Sequence, residues 1–248
     1  MEKSNSFWGL YNQLKKGKFV DLTHPFDGDI PHFELSEPMH IETIRTVEKN
    51  GFLVQRFQFE GQWGTHVDAP VHFFENLRTL DQIEVSEMLL PLVVLDVHEQ
   101  VRQNPDYAIT LEDVYAWEGR NGAIPHNAFV ALRTDWSHRW PDDAKMHNRD
   151  SEGIPHTPGW SLDSLKYLYE KRKIRASGHE TIDPDTGISG KVTGWACERY
   201  ILGLNCYQIE MLTNLDRCPE AGALIVCTFP NAKNASGFPA RVFAIVPL

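Results

Sequence analysis

Residues 61–74 read GQWGTHVDAPVHFF. This stretch gathers Gln62, His66, Asp68 and His72 beside Gly64 and Pro70. These polar side chains belong to the types that bind divalent metals and move protons. Residues 53–68, rich in Phe, Val and Trp, predict a strand, on which side chains two apart share a face. One parity carries Leu53, Phe57, Phe59 and Trp63 and is expected to face the core. The other carries Gln58, Glu60, Gln62, His66 and Asp68. Gly64 leaves room for a ligand or a metal to approach the backbone. Pro70 cannot donate to a ladder and ends the strand, so His72 falls on the exit turn. The pattern predicts ligands on the strand and a separate acid or base just beyond it. Alternating polar residues are ordinarily a solvated face; two histidines and an aspartate closed by Gly and Pro set this face apart.

Read through Gly64, Thr65, His66, Asp68, Pro70 and His72, the stretch resembles the H-x-G-T-H-x-D-x-P-x-H signature of the cyclase family of metal-dependent hydrolases. Kynurenine formamidases and isatin hydrolases belong to that family. One position departs, because Gln62 stands where the signature has its first His. Other segments are similar to the family's as well: DLTH at 21–24, RTDW at 133–136, GHET at 178–181 followed by Asp183 and Asp185, IEMLTNL at 209–215 and GFPARV at 237–242. The resemblance runs from about residue 19 to 246.

The resemblance implies a mixed α/β chain in the swivelling β/β/α fold, a central barrel-like mixed sheet with flanking helices. It implies hydrolysis of an amide (cyclic, N-acyl or N-formyl) or a related lactone by metal-activated water. Carried over residue by residue, His66, Asp68 and Glu210 become metal ligands, with Gln62 able to bind through its amide oxygen. His72 becomes the general acid and base. Glu180 is expected to orient His72, and His24, Trp63, Phe73 and His179 to contact substrate. Zinc favours nitrogen and sulfur, whereas a one-His, oxygen-rich set suits a harder ion. The expectation is one divalent ion per chain, Mn²⁺ or Zn²⁺. Some relatives place a second-metal His where this chain has Glu198; Glu198 could still ligate, but beside Arg199 it reads rather as a surface ion pair. Both departures also admit a catalytically silent relative that only binds metal or a small molecule. A cysteine hydrolase using Cys206 or Cys227 is a weaker reading, since no Cys–His context is visible.

With 248 residues and no linker-like composition break, residues 1–248 are read as one domain, residues 1–18 being an N-terminal helical arm. The formal net charge of −10 argues against a nucleic-acid partner. No apolar run reaches the roughly 18–20 residues of a membrane span. The N-terminus shows no secretory pattern, and Cys197, Cys206, Cys218 and Cys227 form no C-x-x-C pair. A cytoplasmic enzyme with a small-molecule substrate is therefore expected, as a homodimer or homotetramer by analogy.

Patterning predicts helices over residues 6–16, 83–90, 110–119, 161–173 and 193–202. It predicts strands over 19–22, 92–97, 128–133, 174–177, 207–212, 224–229 and 242–246. Residues 28–39 read as a loop walling a pocket, and 135–159 as a lid or subunit contact.

Overall fold

A computed structural model describes residues 6–248; the first five residues of the expected N-terminal arm lie outside them. The strands are β1 (Lys18–Asp21), β2 (His40–Arg45), β3 (Val54–Gln58), β4 (His66–Asp68), β5 (Leu89–Asp96), β6 (Phe129–Arg133), β7 (Ala176–His179), β8 (Gln208–Glu210), β9 (Ala223–Thr228), β10 (Gly237–Pro239) and β11 (Arg241–Val246). The helices are α1 (Phe7–Leu14), α2 (Val47–Asn50), α3 (His98–Gln103), α4 (Leu111–Asn121), α5 (Asp143–His147), α6 (Leu162–Lys166), α7 (Gly187–Thr193) and α8 (Ala196–Gly203).

Nine strands form one curled mixed sheet in the order β1-β11-β9-β5-β6-β7-β8-β4-β10. The run β5-β6-β7-β8 is parallel, and both flanks are antiparallel. The apolar run at 92–95 shows why: Leu92 and Val94 pack into one core, Val93 and Leu95 into another. A parallel strand covered on both faces has no solvated side, so it carries no alternation. Val114 and Trp117 of α4, Leu165 of α6 and Ile201 of α8 cover the second face. The barrel-like mixed sheet with flanking helices follows the expectation.

Three local readings are corrected. Residues 53–68 are not one strand. β3 leaves the sheet to pair with β2 in a separate two-stranded hairpin, and the main-sheet strand β4 begins only at His66. Leu53 and Phe57 are consequently exposed, whereas Trp63 is fully buried. Gly64 sits between the two strands at φ +63°, a left-handed turn that breaks the extended run. Over 83–90 the chain makes one 3-10 turn, Val85–Met88, and then enters β5 at Leu89. Pro91 is tolerated inside β5 because pairing with β6 starts only at Leu92. The helix predicted over 193–202 is interrupted: α7 ends at Thr193, Gly194 and Trp195 are left-handed, and α8 restarts at Ala196. Thr110 and Ser161 cap α4 and α6, each side chain accepting from a backbone N–H three residues on.

Gly178 of β7 faces Phe129 and β8. A Cβ there would lie 2.7 Å from Phe129 Cζ and 2.8 Å from Ile209 O. Gly178→Ala is therefore expected to lower stability by about 1–3 kcal/mol through overpacking, read as an earlier urea midpoint at unchanged slope.

Candidate active site

The register of β4 against β8 assembles the site: His66 pairs with Glu210, and Asp68 with Gln208. Between them Val67 and Ile209 turn the other way and are fully buried in the core. With a side-chain period of two, burial of that apolar pair forces all four polar side chains onto one face. His66 Nε2 lies 3.5 Å from Asp68 Oδ2 and 3.4 Å from Glu210 Oε2. One ligand atom from each of His66, Asp68 and Glu210 falls within 4.8 Å of the others. Nδ1–H of His66 donates to Gly64 O at 2.8 Å, which turns Nε2 toward the cluster.

Two amides hold the carboxylates. Gln208 Nε2 donates to Glu210 Oε1 at 2.9 Å, to Asp68 Oδ2 at 3.2 Å and to Glu198 Oε1 at 3.4 Å. Gln62 Nε2 donates to Asp68 Oδ1 at 3.2 Å and to Ser236 Oγ at 3.4 Å. Gln62 thus lies beside the cluster as expected, but it presents its amide nitrogen to Asp68 rather than its oxygen to the centre. Gly237 makes the space, since a Cβ there would strike Gln62 Nε2 at 2.2 Å.

Charge is concentrated here. Burial would raise the Asp68 carboxyl, but the charge and hydrogen bond of His66 bring it down to about 2. Burial opposes protonation of His66, and Asp68 outweighs it, raising the imidazole. Glu210 and Glu198 are pushed well up by burial, then by Asp68 and other neighbouring carboxylates. Asp183 is pushed to about 7 by burial, then by Asp185 and Asp68. Such a crowd of carboxylates is poorly compensated by the protein itself. One imidazole and two carboxylates within 4.8 Å fit a divalent cation, which would relieve that repulsion.

The cluster floors a cavity of about 410 Å³, lined also by Phe33, Leu35, Gln62, His72, Phe73 and Arg199, a size suited to a small organic molecule. His72 stands on the 3-10 turn Pro70–His72 that follows β4, with its side chain 32% exposed. His66, Asp68, Glu210, Gln62, His72 and Phe73 are thus brought together. The other expected residues are placed elsewhere. Trp63 is buried, donates Nε1–H to Asp27 O and stacks on His32, so it walls no substrate pocket. His24 is buried against the Trp140 ring at 4.0 Å and lies outside the cavity lining. His179 is buried behind the cluster with Nε2 3.5 Å from Glu210 Oε1, and burial drives it down to about 3. Glu180 does not orient His72. Its carboxylate accepts from Thr134 N–H, Thr134 Oγ1 and Ser137 Oγ, locking the 134–137 turn.

Glu198 is no surface ion pair; its side chain is 7% exposed, inside the cavity wall. Gln208 was missed, although its position two residues before Glu210 on a strand was the available signal. Cys206 and Cys227 are buried and their thiols raised by burial, the latter to about 12, which removes the cysteine-hydrolase reading.

Comparison with known proteins agrees with the site. The profile of the family described as "Putative cyclase" matches residues 20–186. Isatin hydrolase of Roseibium aggregatum is 31% identical over 263 aligned residues, covering 100% of this chain and 99% of that protein. The structure of isatin hydrolase A from Ralstonia solanacearum is 32% identical with a TM-score of 0.92, covering 99% of each chain. Kynurenine formamidase of Bacillus anthracis is 26% identical over 85 residues, 34% of this chain and 41% of that one. Fold and site together define an enzyme of the metal-dependent hydrolase class. The chain belongs to the cyclase family.

The orphan imidazole of His24 yields a pH prediction. Burial lowers His24 to about 4, and its Nε2 has no hydrogen-bond partner among the described residues. Folded His24 stays neutral while the unfolded chain takes a proton below its ordinary value, so this contribution is complete above about pH 6.5 and is lost as pH falls toward 4. His24→Phe, which keeps the ring on Trp140, is expected to lose stability less steeply than wild type between these limits. The difference should approach about 1.4 kcal/mol per pH unit in urea titrations.

Proposed function

We propose that the enzyme opens a cyclic amide, cleaves an N-formyl or other N-acyl C–N bond, or opens a related lactone. It would hold one divalent cation, Mn²⁺ or Zn²⁺, on His66, Asp68 and Glu210. The carrying observation is the convergence of those three donors within 4.8 Å on the floor of a cavity that His72 also lines. When bound, the cation would lower the pKa of its water and polarise the substrate carbonyl. His72 would take a proton from the attacking water and return it to the leaving nitrogen. Asp68 and Glu210 would offset the cation's charge, and Gln62 and Gln208 would keep their carboxylates in place. Phe33 and Phe73 supply apolar wall for a planar substrate. The full-length similarity to isatin hydrolases supports a cyclic amide, whereas the formamidase match covers only a third of the chain. The oxygen-rich donor set favours Mn²⁺ over Zn²⁺.

Four free cysteines support a reducing, cytoplasmic setting, and no helix among the described residues is long and apolar enough to cross a membrane. Exposed Phe7, Trp8 and Tyr11 on α1, with Phe57 and Leu53 at the hairpin, support a homodimer or homotetramer. Sedimentation of the purified protein is then expected at a multiple of 28.4 kDa; a monomer at all concentrations would end that part.

Removal of the cation with EDTA should abolish hydrolysis of isatin or an arylformamide, and Mn²⁺ should restore it. His72→Ala should lower kcat by about 10²–10⁴-fold with metal uptake unchanged. Undiminished hydrolysis by that variant would defeat the assigned role. Metal uptake without turnover of any cyclic amide, formamide or lactone by wild type would establish the silent binding relative instead.

A further inference from the structure

We infer that Glu198 is a positioning residue for His72, in the role that sequence assigned to Glu180; this rests on the reading of His72 as the proton-transfer group. His72 sits on a single 3-10 turn, a third exposed and edge-on to Phe73. Glu198 Oε1 lies 3.9 Å from its Nε2, and no other carboxylate among the described residues comes within ion-pair reach of that ring.

Glu198 is itself held from two sides. Gln208 Nε2 donates to the same Oε1 at 3.4 Å. The Asp185 carboxylate accepts from the N–H of Cys197 at 3.0 and 3.1 Å and from the N–H of Glu198 at 3.2 Å, fixing the start of α8. The next residue, Arg199, lays its guanidinium over Phe73 and Phe74, 5.4 Å from each ring centre. Helix α8 is thereby fastened to the turn that carries His72.

Once a bound cation relieves the crowding, a Glu198 carboxylate 3.9 Å from one imidazole nitrogen, at ion-pair rather than hydrogen-bond distance, favours the ring proton on that nitrogen and leaves the other as the proton acceptor. It also stabilises the imidazolium formed once that proton is taken. Glu180 cannot act this way, since Thr134 and Ser137 occupy both of its oxygens.

The test compares Mn²⁺-loaded wild type, Glu198→Gln, His72→Ala and the double variant on isatin, with Mn²⁺ affinity and stoichiometry measured in parallel. Glu198→Gln is expected to lower kcat by about 10–100-fold, with KM and Mn²⁺ affinity unchanged and no further loss in the His72→Ala background. Asp185→Asn, which loosens the start of α8 away from His72, should give the same split in weaker form and serves if Glu198→Gln does not fold. Weakened Mn²⁺ binding or a lower stoichiometry would make Glu198 a metal ligand, and additive losses would make it independent of His72; either overturns the inference. Nitrogen-15 NMR of the imidazole rings decides the matter even if isatin and related probes are not turned over. The inference requires one ring tautomer for His72 in wild type and a mixture in Glu198→Gln, and identical ring shifts in the two would refute it.

Discussion

Everything at this site depends on the three-residue register of β4 against β8. His66 opposite Glu210 and Asp68 opposite Gln208 are adjacent only because Val67 and Ile209 occupy the core between them. A one-residue slip of β4 would turn His66 and Asp68 into the apolar core and Val67 out of it, an exchange far costlier than any gain at the site. The same apolar packing that stabilises the sheet therefore specifies the donor geometry. Neighbouring strands reinforce it: β10 pairs with the far edge of β4, and β7 lies parallel to β8 across Gly178.

Placing so many carboxylates in one wall opposes folding, and among the described residues the fold meets this with imidazoles and neutral amide donors rather than with arginine or lysine ion pairs. Among the described residues Gln208 and Gln62 reach the carboxylates, and the first turn of α8 is tied down by Asp185. Amide donors orient a carboxylate without cancelling its charge, so the negative potential remains for a cation to use. Conventional ion pairing is kept for elsewhere, as where Arg78 and Arg175 grip Glu87 beneath β5. The division is physical: pairing Asp68 and Glu210 with arginines would stabilise the apo chain and close the site.

The motif at 61–74 was legible because its donors are close along the chain, and two-residue spacing on one strand is a local property. Parity assigned Gln62, His66 and Asp68 to one side correctly in effect, although the strand they were assigned to does not exist as a unit. Gly64 turns the backbone there, and what precedes it belongs to a hairpin whose apolar residues face outward. That outcome depends on what lies opposite β3, which no single-strand pattern contains. Glu198 was misjudged for the same reason: the exposure of a helix residue is set by what packs across from it. Gln208 stood two residues from an expected ligand, but an amide on a strand carries no chemical signature until carboxylates converge on it.

Two departures act in one direction, Gln62 from the signature that the 61–74 stretch resembles and Glu198 from the second-metal position expected of some relatives. At the first, an imidazole gives way to Gln62, whose amide nitrogen is committed to Asp68. At the second, a histidine position holds Glu198, which faces His72. Both remove nitrogen donors from the cavity, and the second adds oxygen. Apart from His66 in the donor cluster, His72 is then the only histidine among the described residues that lines the cavity. A site with a single free imidazole has no second imidazole to substitute for it, so the orientation of that ring becomes a property the rest of the wall must secure. Gln208 links the two tasks: one buried amide touches both ligand carboxylates and the glutamate beside His72. The proposed metal-binding and proton-transfer geometries would thus be set by the same strand, through the same side chain.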